Sequence, residues 1–362
     1  MLFSIDADAG TRIEGWLMPD DPAVVPRVIV HLDAERLVEV EAFVFRPLLK
    51  EYNLHNTGIC GFVLNEKNCP GLTAAPALEI YDADHHLLIY RRKAGDHIID
   101  RKFFRLEPQL FRSVQLDEIY FPRFQMAYSS LDLLAEETIR SILSIPFTES
   151  IYATGRIFWR VWEPLLRDRG YRVAVVLRDP YDELAERLLI LKFMTAAGTE
   201  WVADSLGPVV EAAAAPLRGV DVENWDVLSD LLAAPPDELK GVIYNPLTRL
   251  LSAQNAFDPP PSPATAVALD SLADMDAIGL RDDMDPFLNT VSAVLNLTEK
   301  SPSIRLPTNQ KVRNLATLLR ERGAAKGLME MDLEVYEAAA ATLTRIHGND
   351  SDQQRARSAG DA

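Results

Sequence analysis

Cysteine is nearly absent: the chain has two, Cys60 and Cys69, in 362 residues. Eight residues separate them, which suits neither a CxxC redox pair nor a zinc site, so buried thiols in a reducing compartment are expected. Histidine is scarce as well. Five of the six (His31, His55, His85, His86 and His97) precede residue 98, and none lies between 98 and 346. A general base in that long stretch has to be something else, such as a carboxylate raised by burial; Glu149 is the nearest candidate by sequence. No segment reaches eighteen consecutive apolar residues, so no membrane span is expected. The opening MLFSIDADAG has neither a basic start nor a long apolar run, which predicts no signal peptide and a cytoplasmic chain. Positive charge is in deficit, with 37 Lys and Arg against 54 Asp and Glu, a net charge of -17. That balance argues against nucleic acid as a partner and leaves room only for a local basic pocket.

What is present is ordinary for a globular chain: 48% hydrophobic residues, 25% charged, and a length that suggests two or three domains. Residues 1–100 alternate short β-rich runs (RIEGWLM, VPRVIVHLD, LVEVEAFVF, GICGFVL, APALEIYD, HHLLIYRR) with polar turns, predicting an all-β sandwich. His85-His86, near Asp82 and Asp84, would point to opposite faces of a strand and so would not share a metal ion; they read as a polar hairpin turn. Trp16 either stacks on a sugar or packs in the core. Residues 101–120 continue a mixed charged and aromatic stretch that starts near 94 and has no clean period; they read as a connector.

Residues 121–347 alternate helical and strand patterns, predicting an α/β domain with a mostly parallel sheet. RVAVVL followed by RDPYDELAERLLILKF is the clearest strand-to-helix unit, with Leu184, Leu188 and Leu191 on one helix face. Leu239 to Phe257, LKGVIYNPLTRLLSAQNAF, reads as strand, sharp turn and helix, with Pro246 holding Asn245 extended. Arg249 and Ser252, three apart on one helix face, either flank a solvated corner or hold a phosphate at the helix N-terminus. Phe257 to Ala266, FDPPPSPATA, reads as a stiff surface loop, and the polar tail 348–362 as disordered.

Two resemblances go further. NPLTRLLSAQ looks like the 3′-phosphate segment R-[DN]-P-x-x-R-x-x-S-x-Y of the PAPS-dependent sulfotransferases, with Asn245, Pro246, Arg249 and Ser252 in place and Tyr244 where the leading Arg belongs. Met275–Leu297, PTNQKVRNLATLL and MDLEVYEAAAATL are similar to later helices of that family. SIPFTES resembles its 5′-phosphosulfate loop, I-P-K-T-G-[ST]-[ST], through Ile145, Pro146, Thr148 and Ser150; Phe147 replaces the Lys and Glu149 the Gly. Arg178-Asp179-Pro180 looks like a second, partial phosphate segment, with Glu186 at its Ser position. Gly15-Trp16, Arg46, Leu48, Gly58, Gly61 and Phe62 resemble a small β-sandwich module that sits beside bacterial glycosyltransferases.

These resemblances imply a three-layer P-loop-type nucleotide fold preceded by the sandwich. The implied activity is sulfuryl transfer from PAPS to the hydroxyl of a glycan or glycolipid in bacterial surface-polysaccharide synthesis. Thr148, Ser150, Arg178, Arg249 and Ser252 would bind the donor, and no metal is implied. The altered donor loop keeps open an alternative: a non-catalytic adaptor or glycan-binding protein on the same fold. A glycosyltransferase reading finds no DxD-type metal pair, since Asp282-Asp283 and Asp274-x-Asp276 sit in acidic runs that flank helices.

Overall fold

The computed structural model describes the chain except residues 34–35, 94–97, 256–262, 300–302, 307, 324 and 361–362, with side chains described as far as residue 346. Most of the Pro-rich loop, and His97, fall outside the described residues.

The β-rich opening is as its pattern predicts. Strands β1 (Leu2–Asp8), β2 (Arg12–Met18), β3 (Arg27–His31), β4 (Leu37–Glu41), β5 (Val44–Phe45), β6 (Ile59–Asn65), β7 (Leu78–Asp82) and β8 (Leu88–Arg92) form two four-stranded sheets, with a short helix α1 (Pro47–Glu51) between β5 and β6. The sheet orders are β1-β2-β6-β5 and β4-β3-β7-β8, and every pairing is antiparallel. In β7 the buried Leu78, Ile80 and Asp82 alternate with Glu79 and Tyr81, the period-two signature of a half-covered sheet. His85 and His86 form the β7–β8 turn: the His85 amide donates to the Asp82 carboxylate at 2.6 Å, and the His86 ring stacks on Tyr81 at 4.4 Å.

The motif residues of this module interlock. A Cβ on Gly15 would lie 2.7 Å from the Ser4 carbonyl and 2.8 Å from the Phe62 ring; one on Gly61 would lie 2.6 Å from Arg46 Nε. Arg46 donates to the Gly15 carbonyl at 3.0 Å and pairs with Asp6 at 2.6 Å. Glycine is needed here because other groups pass too close for any side chain.

Five further strands form a parallel sheet with accompanying helices, an α/β arrangement: β9 (Lys102–Leu106), β10 (Met126–Tyr128), β11 (Ile151–Gly155), β12 (Arg172–Leu177) and β13 (Ala277–Leu280), in the order β10-β11-β9-β12-β13. β9 lies inside the stretch read from sequence as a connector. All five of its residues are buried, Lys102 and Arg105 included, because each charge has a partner: Lys102 pairs with Glu149 at 3.1 Å and Arg105 with Glu107. Paired charges disguise a central strand.

The helices that follow are α2 (Val114–Tyr120), α3 (Glu136–Leu143), α4 (Trp159–Asp168), α5 (Pro180–Phe193), α6 (Glu200–Leu206), α7 (Pro208–Ala214), α8 (Trp225–Ala233), α9 (Asp237–Ile243), α10 (Pro246–Ser252), α11 (Ala264–Ala273), α12 (Met284–Val294), α13 (Gln310–Arg322) and α14 (Glu330–Gly360). The backbone of α14 continues through the polar tail that the sequence leaves without structure. Among the described residues no helix is long and apolar enough to cross a membrane.

The chain divides into two compact units. Met1–Phe104, Leu116–Thr154 and Leu165–Tyr171 make the first; Arg105–Gln115, Gly155–Pro164 and Arg172–Ala362 make the second. In the first, the two antiparallel sheets are bonded to the later segments: Tyr128 Oη donates to the Leu88 carbonyl at 2.9 Å, and the amino terminus donates to Thr138 Oγ1 at 3.0 Å. In the second, Leu184, Leu188 and Leu191 of α5, as their spacing predicts, join a core with Ala213 of α7, Ile243 of α9 and Leu319 of α13. Burying each leucine contributes roughly 1.5–3 kcal/mol.

One element changes type. Residues 239–243 belong to α9, not to a strand, and Gly241 is an exposed helical residue. Asp237 and Glu238 in the first turn, after Pro235-Pro236, favour the helix start, and Leu239, Val242 and Ile243 share its buried side. Asn245 then takes a left-handed conformation, φ 41 and ψ 53, in place of the extended one expected before proline.

Candidate functional site

β9 and β12 are neighbours, and the chain leaves their carboxyl ends for opposite edges of the sheet, toward β10 and toward β13. Open α/β sheets place their ligand crevice where neighbouring connections part in this way. In the second unit, Pro108, Gln109, Arg178, Arg187, Leu247 and Asp332 border a cavity of about 20 Å³ at that point, room for one water.

Its walls are charged and almost wholly buried. Arg187 is fixed three ways: Nε to Glu183 at 2.6 Å, Nη1 to the Val242 carbonyl at 2.9 Å and Nη2 to the Pro108 carbonyl at 2.7 Å. Gln109 Nε2 donates to the Val176 carbonyl at 3.0 Å. Arg178, directly after β12, is ion-paired with Glu186 and lies 3.8 Å from Glu183. Its Nε and Nη2 are buried with no hydrogen-bond partner among the described residues. Arg281, which follows β13, is lowered by burial and by the charge of Arg178, while Glu186, Glu183 and Glu107 pull it back. Alongside, Asp182 is raised by burial, and Tyr336 is raised to about 12 by burial and by Asp179, Asp282 and Asp182. Arg178 and Arg187 are thus each paired closely with one of the chain's own carboxylates, Glu186 and Glu183.

The N-terminus of α10 is occupied in the same manner. Asp332, 3% exposed, accepts from the Leu247 amide at 3.1 Å and the Thr248 amide at 2.7 Å. In return Asn245, 1% exposed, accepts through Oδ1 from the amides of Met331 at 2.9 Å and Asp332 at 3.2 Å. The Asn245 amide donates to the Leu328 carbonyl at 2.8 Å. Two helix starts, α10 and α14, cap each other through one side chain apiece. This explains the left-handed Asn245: three hydrogen bonds outweigh a backbone strain on the order of 1–2 kcal/mol. Burial holds the Asp332 carboxyl above the ordinary range, although Thr248, Leu247 and Arg187 act against the shift.

The residues expected to bind the donor are distributed as follows. Arg178 reaches the crevice. Arg249 and Ser252 share α10 but turn to backbone carbonyls: Arg249 Nη1 donates to the Gly241 carbonyl of α9 at 3.2 Å and Ser252 Oγ to the Thr248 carbonyl of α10 at 2.7 Å. Thr148 and Ser150 lie in the first unit, in the loop that follows α3 and runs into β11, a helix-loop-strand order. Thr148 Oγ1 donates to Gln125 at 2.7 Å and accepts from the Ser150 amide at 3.0 Å, while Ser150 Oγ accepts from the Gln125 amide at 2.9 Å. Glu149 pairs there with Lys102. Gln109, Arg187 and Asp332 are the residues that sequence reasoning missed. Glu107-Pro108 after a buried run was the available sign for the first, and MDLEVY held the third without disclosing its bonds.

Among the described residues no three His, Cys, Asp or Glu side chains group in a way that could hold a metal. No protein-family model matches the chain, and no curated protein matches it significantly.

Proposed function

We propose that this chain is a non-catalytic glycan-binding protein built on a sulfotransferase-like, P-loop-type nucleotide fold. One observation carries the reading: positions that would meet the anionic donor are filled by carboxylates of the chain itself. Asp332 caps the helix in which the 3′-phosphate motif stands, and Glu186, at the Ser position of the partial motif, pairs with Arg178. A phosphate brought there would meet these carboxyl groups and would have to displace hydrogen bonds already made. Glycan binding follows from the resemblance of the N-terminal module to those of surface-polysaccharide proteins.

Calorimetric titration of the full chain with PAP tests this. We expect no binding heat at micromolar to millimolar nucleotide. Saturable PAP binding, with sulfate appearing on a glycan when PAPS is supplied, would overturn the reading and restore the transferase.

A further inference from the structure

Within the first unit, the ends of β3, β7 and β8 and the turn at Phe121-Pro122 bound a cavity of about 640 Å³. That volume is in the range of small-ligand sites, roughly 300–1,000 Å³. Strand register lays a polar row along its wall, with His31 opposite Glu79 and Glu79 opposite Arg91. Glu79 accepts from Arg91 Nε at 2.6 Å and from Tyr81 Oη at 2.6 Å.

Charge bookkeeping at this wall leaves a remainder. Glu79 balances Arg91. Asp33 pairs with Arg36 at 2.6 Å, and Arg92 with Asp8 at 2.6 Å. Lys93 has no carboxylate partner among the described residues; its Nζ donates to the neutral Phe124 carbonyl at 3.2 Å. Burial and then the neighbouring Arg91 charge lower its pKa. His31 Nε2 is buried and has no partner among the described residues. Among the described residues the cavity therefore offers one uncompensated cation, one unsatisfied ring nitrogen, and an apolar wall at Phe121 and Pro122.

We propose that this cavity binds one unit of a singly charged acidic sugar, a uronate or a sugar sulfate ester, as the glycan site of the function proposed above. The anion meets Lys93 beside Arg91, a hydroxyl reaches His31, and the sugar ring lies against Phe121 and Pro122. One negative charge balances the wall; a neutral sugar leaves Lys93 uncompensated. The proposal rests on the glycan half of that reading and not on its claim about PAP.

The test is calorimetric titration of the full chain with methyl glucuronide and galactose 6-sulfate, with methyl glucoside as the neutral control. At least one charged sugar should bind about tenfold or more tightly than the control, and Lys93→Gln should lower its affinity by a similar factor with the melting curve unchanged. His31→Gln is the second variant, used also if Lys93→Gln fails to fold, and should weaken both charged and neutral sugars. Which of the two charged sugars binds identifies the anion. Equal affinity for charged and neutral sugars, no binding of either charged sugar, or variants that bind like the wild-type chain would overturn the proposal. A neutral glycan bound while the charged sugars stay silent would sink the cavity assignment and spare the glycan reading; PAP binding would sink the non-catalytic reading and leave the cavity standing.

Discussion

Asp332 and Asn245 are eighty-seven positions apart, yet each satisfies two buried amides at the other's helix start. Asp332→Ala should cost about 1–3 kcal/mol in urea unfolding, because it leaves the Leu247 and Thr248 amides buried without an acceptor. Asp332→Asn keeps one acceptor oxygen and should cost less. The pH dependence has a definite sign. Because burial raises the Asp332 carboxyl in the folded chain, the folded state holds that proton more tightly than the unfolded one. The resulting stabilisation is fully present below the unfolded value, about 3.9, and is lost as pH rises through the folded value. The asparagine variant cannot titrate, so the stability difference between wild type and Asp332→Asn should shrink as pH rises from that value toward neutral. A difference that grows over this range would show that the amides and Arg187 outweigh burial. For Asn245 the order of variants is informative: Ala loses the same bonds as Gly but must also adopt positive φ, so it should be worse by about 1 kcal/mol.

At the scale of elements, the sequence was readable where one signal dominated. β12 and α5 follow from a continuous apolar run, an Asp-Pro start and leucines at helical spacing; Asp179 accepts from the Tyr181 amide at 2.9 Å, as a cap should. The antiparallel strands follow from alternation. Reading failed where tertiary partners reversed a local preference. Lys102 and Arg105 look like surface charge until Glu149 and Glu107 are seen to neutralise them, and so a central strand was missed. Gly241-Val242-Ile243-Tyr244 has strand-like composition, but its buried residues sit at helical spacing with Leu239, and Asn245, just past the end of α9, is held by α14. The crevice was half legible. Arg178 could be found after its strand, whereas the bonds of Asp332 and Arg187 depend on contacts distant in sequence. Gly241→Ala separates the two readings of α9. Space around that position is open, so alanine should stabilise the chain by about 0.5–1 kcal/mol as a helix former, measured as a higher urea midpoint. A drop in the midpoint would speak against the helix.

For the whole molecule, the question is how much of the chain the antiparallel sheets need in order to fold. Their strands end at Arg92, but the first compact unit also takes in residues 116–154 and 165–171. The ties are specific. Tyr128, fully enclosed, donates to the Leu88 carbonyl; the amino terminus donates to Thr138; and the Phe3 amide donates to Ser141 Oγ at 3.3 Å. Each is worth about 1 kcal/mol net, and each leaves a polar group of β1 or β8 to water when it is removed. Tyr128 also buries a ring against the end of β8, a contribution of similar or larger size. A fragment of residues 1–100 keeps both sheets and the interlocked Gly15, Arg46, Gly61 and Phe62, so it retains a folding core. A fragment of residues 1–154 keeps the ties as well. Urea unfolding followed by circular dichroism should therefore give the longer fragment the higher stability, by about 2–4 kcal/mol, with the shorter one still showing β structure in water. Equal midpoints would mean that the sheets are self-sufficient and that the later segments merely rest on them. A shorter fragment without β structure would mean that the fold of the sheets is completed only by chain beyond residue 100.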